Sequence, residues 1–282
     1  MHGPEILART LSLRAEKDAS GNAWQYHPRS DHHSKVACWG ILFDFLGESP
    51  VLRKHVESGA VVYGINHEMR DFKQNRKKDL DLVLARPRDS KSDSARGFKS
   101  LVERYQIVLT KEQKQILADL PDIRRGEVGA VQVALEAKAC MTAHVKALPR
   151  LYDELNSSHE TTHASADVAI AVGFVMINAA LEFLSPGRQV AAVRKAAAKV
   201  NRHKQPDDTK RVVDKVHEMP RRTKPGEQGF DAMGIVIIEC RNDGTPVRLV
   251  TTPPAPKPGD IYDYESMVRR LTQLYASRFA VL

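Results

Sequence analysis

The stretch Asp79-Leu80-Asp81-Leu82-Val83-Leu84 alternates acid with leucine before becoming wholly apolar. A mostly apolar stretch, Val131-Gln132-Val133-Ala134-Leu135, leads into Glu136-Ala137-Lys138, with Glu136 fifty-five residues after Asp81. Side chains of an extended strand point alternately to its two faces. Glu136 and Lys138 therefore share one side near a strand end, opposite Val133, Leu135 and Ala137. By the same rule Leu80, Leu82 and Leu84 share one face of their strand, with Asp79, Asp81 and Val83 on the other. Two acids brought together from adjacent strands can hold a hard divalent cation. Mg²⁺ takes one or two carboxylates and completes its shell with waters and substrate phosphate. A lysine beside such a pair would orient or deprotonate an attacking water and offset charge at a phosphate. Asp79 competes with Asp81 for the metal, but Asp81 sits deeper in the apolar run. Glu68 is a further candidate metal carboxylate, set against an ordinary loop role. Glu112-Gln113-Lys114 has the same letters in a helical, exposed pattern, so strand context selects the second copy. The plain alternative for Glu136 and Lys138 is a strand-end ion pair.

A second motif competes for attention. His159-Glu160-Thr161-Thr162-His163 satisfies H-E-x-x-H, the pattern that puts two zinc ligands one helical turn apart with a general base between them. Its surroundings, NSSHETTHASAD, are polar throughout, and they stand where a helix is expected to end and a buried strand to begin. Glu182, nineteen residues beyond His163, would be carried to the far end of that strand. A zinc protease is thus the least favoured reading, and the two histidines are left to cap a helix end or bind a phosphate.

The elements that must position these residues can be read coarsely. Residues 9–27 read as a hairpin turning at Ser20-Gly21-Asn22, and residues 34–49 as an apolar helix. Residues 49–59 read as a second helix, with Ser49 as cap and Pro50 in the first turn. Residues 60–67 and 79–86 read as strands, and 89–99 as a loop. Two helices follow near 94–120, the second with Thr110 and Gln113 forming a capping box. Residues 130–138 form a strand, 142–158 a helix containing Pro149, and 167–178 a strand buried on both faces. A hairpin turning at Asn242-Asp243-Gly244 and a helix near 263–279 close the chain. Interleaved strands and helices predict an α/β fold with a mixed sheet.

The formal net charge is +8, and residues 187–225 hold twelve Lys/Arg against four acids, a surplus equal to that of the whole chain. Concentrated positive charge points to a polyanionic partner, nucleic acid first. Aromatic residues make up 6% of the chain and do not cluster, which disfavours base-stacking binding of single strands. No apolar run reaches the about 20 residues of a membrane helix. The N-terminal residues lack a signal-peptide layout. Three distant cysteines, Cys38, Cys140 and Cys240, suggest no disulfide framework and a reducing cytoplasm.

Asp81 and Glu136-Ala137-Lys138 on successive strands, followed by the helical stretch from Ala139 to His159 and a buried strand, resemble the PD-(D/E)xK nucleases, the superfamily of many type II restriction endonucleases. The resemblance covers roughly residues 35–180. It implies a restriction-endonuclease-like core, a central mixed β-sheet flanked by helices. Residues 1–185 would hold that core with an N-terminal hairpin and a helical insertion (about 88–125). Residues 186–282 would be a basic extension, with a hairpin and a final helix, packed on it. The implied activity is Mg²⁺-dependent hydrolysis of DNA phosphodiesters, with Mn²⁺ able to substitute, in bacterial defence. Asp81 and Glu136, with Glu68, would hold metal, and Lys138 would serve the nucleophile. Expected phosphate contacts are Thr142, His144, Lys146 and Arg150 after the catalytic strand. Before it stand Arg70, Lys73, Arg76, Lys77 and Lys78. The expected partners are double-stranded DNA and, for cutting both strands, a second copy of the chain. A non-catalytic nucleic-acid binder on the same scaffold is the alternative.

Overall fold

The computed structural model describes residues 1–18, 21–71, 74–187 and 198–281, with the side chains of 89–96 outside the description. In chain order the elements are α1 (Gly3–Leu11), β1 (Glu16–Lys17), β2 (Ala23–Trp24), α2 (His32–Glu48), α3 (Pro50–Glu57), β3 (Val62–Asp71) and β4 (Arg76–Gly97). A single 3₁₀ turn then leads into α4 (Leu101–Arg104), α5 (Lys111–Asp119), β5 (Arg124–Cys140), α6 (His144–Ser165) and β6 (Ile170–Asn178). The chain ends with β7 (Glu182–Ser185), β8 (Lys199–Arg202), α7 (Asp207–His217), β9 (Ala232–Glu239), β10 (Arg248–Val250) and α8 (Tyr264–Phe279). The fold is α/β, a mixed six-stranded sheet flanked by helices.

The sheet is built around β5 and β6, which run parallel from Val133↔Ile170 to Cys140↔Ile177 with α6 as the crossover. On one side β6 pairs in parallel with β9, whose other edge carries the short antiparallel β10. On the other, β4 runs antiparallel to β5 from Leu82↔Leu135 to Gly97↔Arg124, with four register irregularities. β3 lies antiparallel along the first half of β4 and touches β5 at Tyr63↔Arg125, so the meander curls on itself. The division expected at residue 185 falls within one sheet, because β9 beyond it extends the same ladder.

β6 is buried at every position, and its two faces feed two cores. Val172, Phe174 and Met176 pack with α2 and α8 on one side, while Ala171, Val175 and Ile177 pack with α6 and α7 on the other. Helix α2 is apolar nearly all round, as a helix enclosed by its neighbours must be. Gly40 lets α1 cross α2 closely: a Cβ there would stand 3.0 Å from the Gly3 Cα. Buried Asp44 caps that crossing, accepting the Gly3 N–H and the Tyr264 hydroxyl, both at 2.8 Å.

Several expectations are corrected by tertiary contacts. Residues 9–11 are not part of a hairpin but the end of α1, where Ile6, Leu7 and Leu11 are buried. The polar residues from 89 to 97 are strand, because β5 supplies their hydrogen-bond partners. Leu80 does not share a face with Leu82 and Leu84; it joins Val83 in the α6-side core. The change coincides with Asn66, which adopts a left-handed φ of 50° between the pairs Ile65↔Leu82 and His67↔Leu80. Asp81, between those pairs, is turned toward α2.

Candidate functional site

The end of β5 opens into a cleft of about 490 Å³ whose lining includes His33, Ser34, Asp81, Lys138, Arg150 and Glu154. Four elements build it. β4 supplies Asp81 and β5 supplies Lys138, with Glu136 buried behind the lining and paired to Lys138. The first turn of α2 supplies Ser34, with Lys35 buried behind it against Asp81. The first half of α6, which begins where the parallel crossover forces the chain to leave β5, supplies Arg150 and Glu154.

Asp81 and the Glu-x-Lys triplet meet here. Asp81 Oδ2 accepts the backbone N–H of Ala137, the residue between Glu136 and Lys138, at 2.9 Å. Its Oδ1 accepts from Lys35 Nζ at 2.8 Å and lies 2.9 Å from Ser34 Oγ. Glu136 is 3% exposed, and its Oε1 pairs with Lys138 Nζ at 2.7 Å and Lys78 Nζ at 3.3 Å. Its Oε2 is buried with no hydrogen-bond partner. Leaving a buried carboxylate oxygen unsatisfied costs about 1–3 kcal/mol or more, and such orphans concentrate where a ligand completes the set. Lys138 also reaches Glu154 Oε2 at 3.2 Å.

The two acids have opposite proton affinities. Burial pushes the Asp81 carboxyl up, but Lys35, the Ala137 N–H and Lys138 together hold it below the ordinary range. Burial and the neighbouring Asp81 charge push Glu136 up, against the pull of Lys138 and Lys78. Burial would lower Lys138, yet Glu136 and Glu154 hold it above its usual value. Lys138 Nζ thus stands between two carboxylates, which hold it toward its charged form. His33 is pushed down to about 4, first by desolvation, and stands neutral at the cleft wall.

The remaining expected residues divide. Thr142 and Arg150 line the cleft, Arg150 holding Glu154 at 2.6 Å. Lys146 is exposed on the same helix. Lys78 belongs to the site itself through Glu136. His144 is corrected: it is 2% exposed and its Nε2 meets the Asn178 carbonyl at 2.7 Å, so it faces the core and no phosphate. Glu68 lies on β3, half exposed, paired with Arg70 at 3.0 Å and Lys77 at 3.2 Å. Those ion pairs also occupy Arg70 and Lys77, and Arg76 pairs with Glu160. Lys73 lies outside the described residues. Sequence reading missed Lys35, Ser34 and Glu154. The available signal was a lysine leading directly into an otherwise apolar helix; Glu154 had none.

The H-E-x-x-H motif occupies the last turns of α6, at the helix end expected for it, but His159, Thr161 and Thr162 are buried there rather than lying on a polar surface. His159 packs edge-on against Phe230, and His163 Nε2 meets the Gly229 carbonyl at 2.9 Å. Glu160 turns elsewhere, to Arg76 and Asn156. Among the described residues no group of three or more His, Cys, Asp or Glu side chains is disposed to hold a metal ion. No helix among the described residues is long and apolar enough to cross a membrane. No protein-family model, no curated protein and no solved structure matches this chain.

Proposed function

We propose that the protein is a Mg²⁺-dependent DNA endonuclease with a restriction-endonuclease-like core. One observation carries the reading: the carboxylate of Asp81 docks on the backbone between Glu136 and Lys138, and a buried oxygen of that same Glu136 lacks a partner. The run of elements adds support, since the paired strands β4 and β5, then helix α6, then strand β6 follow the order that the PD-(D/E)xK resemblance implies, a catalytic hairpin, then a helix, then a strand. Asp81 and Glu136 are the residues that would hold Mg²⁺, a cation satisfied by two carboxylates plus water and phosphate oxygens. Bound there, it would activate water and polarise the scissile phosphate.

The chain's own groups account for the rest. Lys138, kept protonated by Glu136 and Glu154, offers positive charge where negative charge grows on a phosphate. Arg150 and Lys146, on the exposed side of α6, stand ready to take flanking backbone phosphates, which fix position without reading sequence. The basic surplus beyond residue 187 adds long-range attraction for a polyanion. A role in defence against foreign DNA, with two copies cutting two strands, is the setting this chemistry suits.

The test is incubation with supercoiled plasmid in Mg²⁺, in Mn²⁺ and in EDTA. Cleavage is expected with either cation and absent with chelator, and Lys138→Ala is expected to reduce it at least about a hundredfold. Intact plasmid in all three conditions, with DNA still bound, would leave the scaffold without catalysis. That second reading has its own observation: in this arrangement each cleft carboxylate already faces a lysine.

A further inference from the structure

The amine of Lys35 lies behind the cleft wall, against Asp81. Lys35 is 4% exposed. Its N–H donors go to Asp81 Oδ1 at 2.8 Å, to the Asp81 carbonyl at 3.4 Å and to Asn66 Oδ1. Asp31 Oδ2 stands within ion-pair reach at 3.5 Å. Asp31 is a full helical turn back, and its side chain is 61% exposed at the cleft rim. A buried cation is thus shared between a buried acid and an exposed one. Of the two Asp81 oxygens, Oδ2 is tied to the β5 backbone, so the oxygen held by Lys35 is the one whose partner is a movable side chain.

From this arrangement we infer that Lys35 is the resident counter-cation of Asp81, and that a divalent cation enters the cleft only by displacing its amine toward Asp31. The inference rests on the nuclease reading for the identity of the site. Lys35 acts here as a positioning residue. It keeps the Asp81 carboxylate aimed while no metal is bound, and it sets the metal concentration at which the site fills. A ligand that binds only the opened arrangement has its apparent affinity reduced by the fraction of molecules that are open. Two neutral replacements remove the competitor: Lys35→Met, which keeps the apolar stem, and Lys35→Gln, which retains one donor for Asp81.

The experiment measures Mn²⁺ binding to the intact chain without DNA, by the loss of the free-ion electron paramagnetic resonance signal, with Asp81→Asn as the control that removes the site. Lys35→Met and Lys35→Gln are expected to bind Mn²⁺ about tenfold or more tightly than the unaltered chain, the effect of removing one competing charge at contact distance. Asp31→Asn is expected to weaken Mn²⁺ binding when Lys35 is present and to do so much less in the Lys35→Met background, where no amine needs a second acceptor. If one Lys35 variant fails to fold, the other carries the comparison. Equal or weaker Mn²⁺ binding by the Lys35 variants, with unaltered chain that binds Mn²⁺ and cuts plasmid, overturns the inference and leaves the nuclease reading standing. No Mn²⁺ binding by either form, together with intact plasmid, overturns both.

Discussion

At the scale of single residues, the two cleft acids are held in opposite ways, and this can be measured apart from any activity. Asp81 is ionised at a net gain. Its contribution to stability is present above the ordinary carboxylate range and is lost as pH falls through its depressed value. Asp81→Asn also strands the buried Lys35 amine. A loss of about 3 kcal/mol is expected in urea unfolding at pH 7, shrinking in acid. Glu136 is the reverse. Its raised value means that ionisation in the folded state is costly, so its contribution favours folding below the ordinary glutamate range and is lost as pH rises through the raised value. Glu136→Gln is therefore expected to melt at or above the unaltered protein at pH 8, with the gap closing toward pH 4, while plasmid cleavage disappears. A Glu136→Gln protein that is clearly less stable at pH 8 would mean that Glu136 serves the fold and is no reserved ligand.

At the scale of elements, α6 does two jobs along one length. Its first half lines the cleft, and its second half clamps the segment before β9 through His159 and His163. Both rings are pushed down to about 4 by burial, with cationic neighbours adding to the effect, and so stand neutral. His159→Ala is expected to destabilise the protein by about 2–3 kcal/mol, as loss of a packed core ring does, without altering zinc content. Recovery of stoichiometric zinc from the unaltered protein, lost in the variant, would refute this. The entry to the helix is strained. Ala143 adopts a left-handed φ of 53° at the N-cap, a conformation that costs an alanine about 1 kcal/mol. Ala143→Gly is expected to gain roughly 0.5–1 kcal/mol, the opposite of the usual effect of glycine beside a helix.

Across the whole molecule, the fold is closed by a buried charge cluster far from the cleft. Arg222 is 1% exposed; it pairs with Asp231 at 3.0 Å and donates to the Asp167 and Ala169 carbonyls. Arg278 from α8 reaches the same Asp231 at 2.6 Å. Breaking a buried pair by removing one partner strands the other, so Arg222→Ala is expected to cost about 3–5 kcal/mol. An effect below about 1 kcal/mol would show that the cluster contributes little beyond what solvent could replace. This cluster explains why residues beyond 185 do not form a separate unit: β9 extends the sheet, and Arg222, Asp231 and Arg278 tie its ends to the start of β6.

How much of this was legible depended on the range of the forces involved. The sequence alone determined what local periodicity can encode. The period-two runs at 79–86 and 130–138, the apolar helix α2, the capping box of Thr110 and Gln113 and the continuous apolar β6 each depend on neighbours within a few residues. It also placed Glu136 and Lys138 on one side of one strand, since that follows from alternation. Tertiary structure decided the rest. A left-handed Asn66 and the pull of Lys35 turn Asp81 out of the expected alternation, and neither can be read from residues 79–84. Pairing with β5 makes strand of the polar residues before Gly97, and packing on Phe230 buries a histidine motif whose own letters look exposed. Alternation and capping act within one element, whereas the cleft exists only where three elements that are far apart in the chain converge on the end of β5.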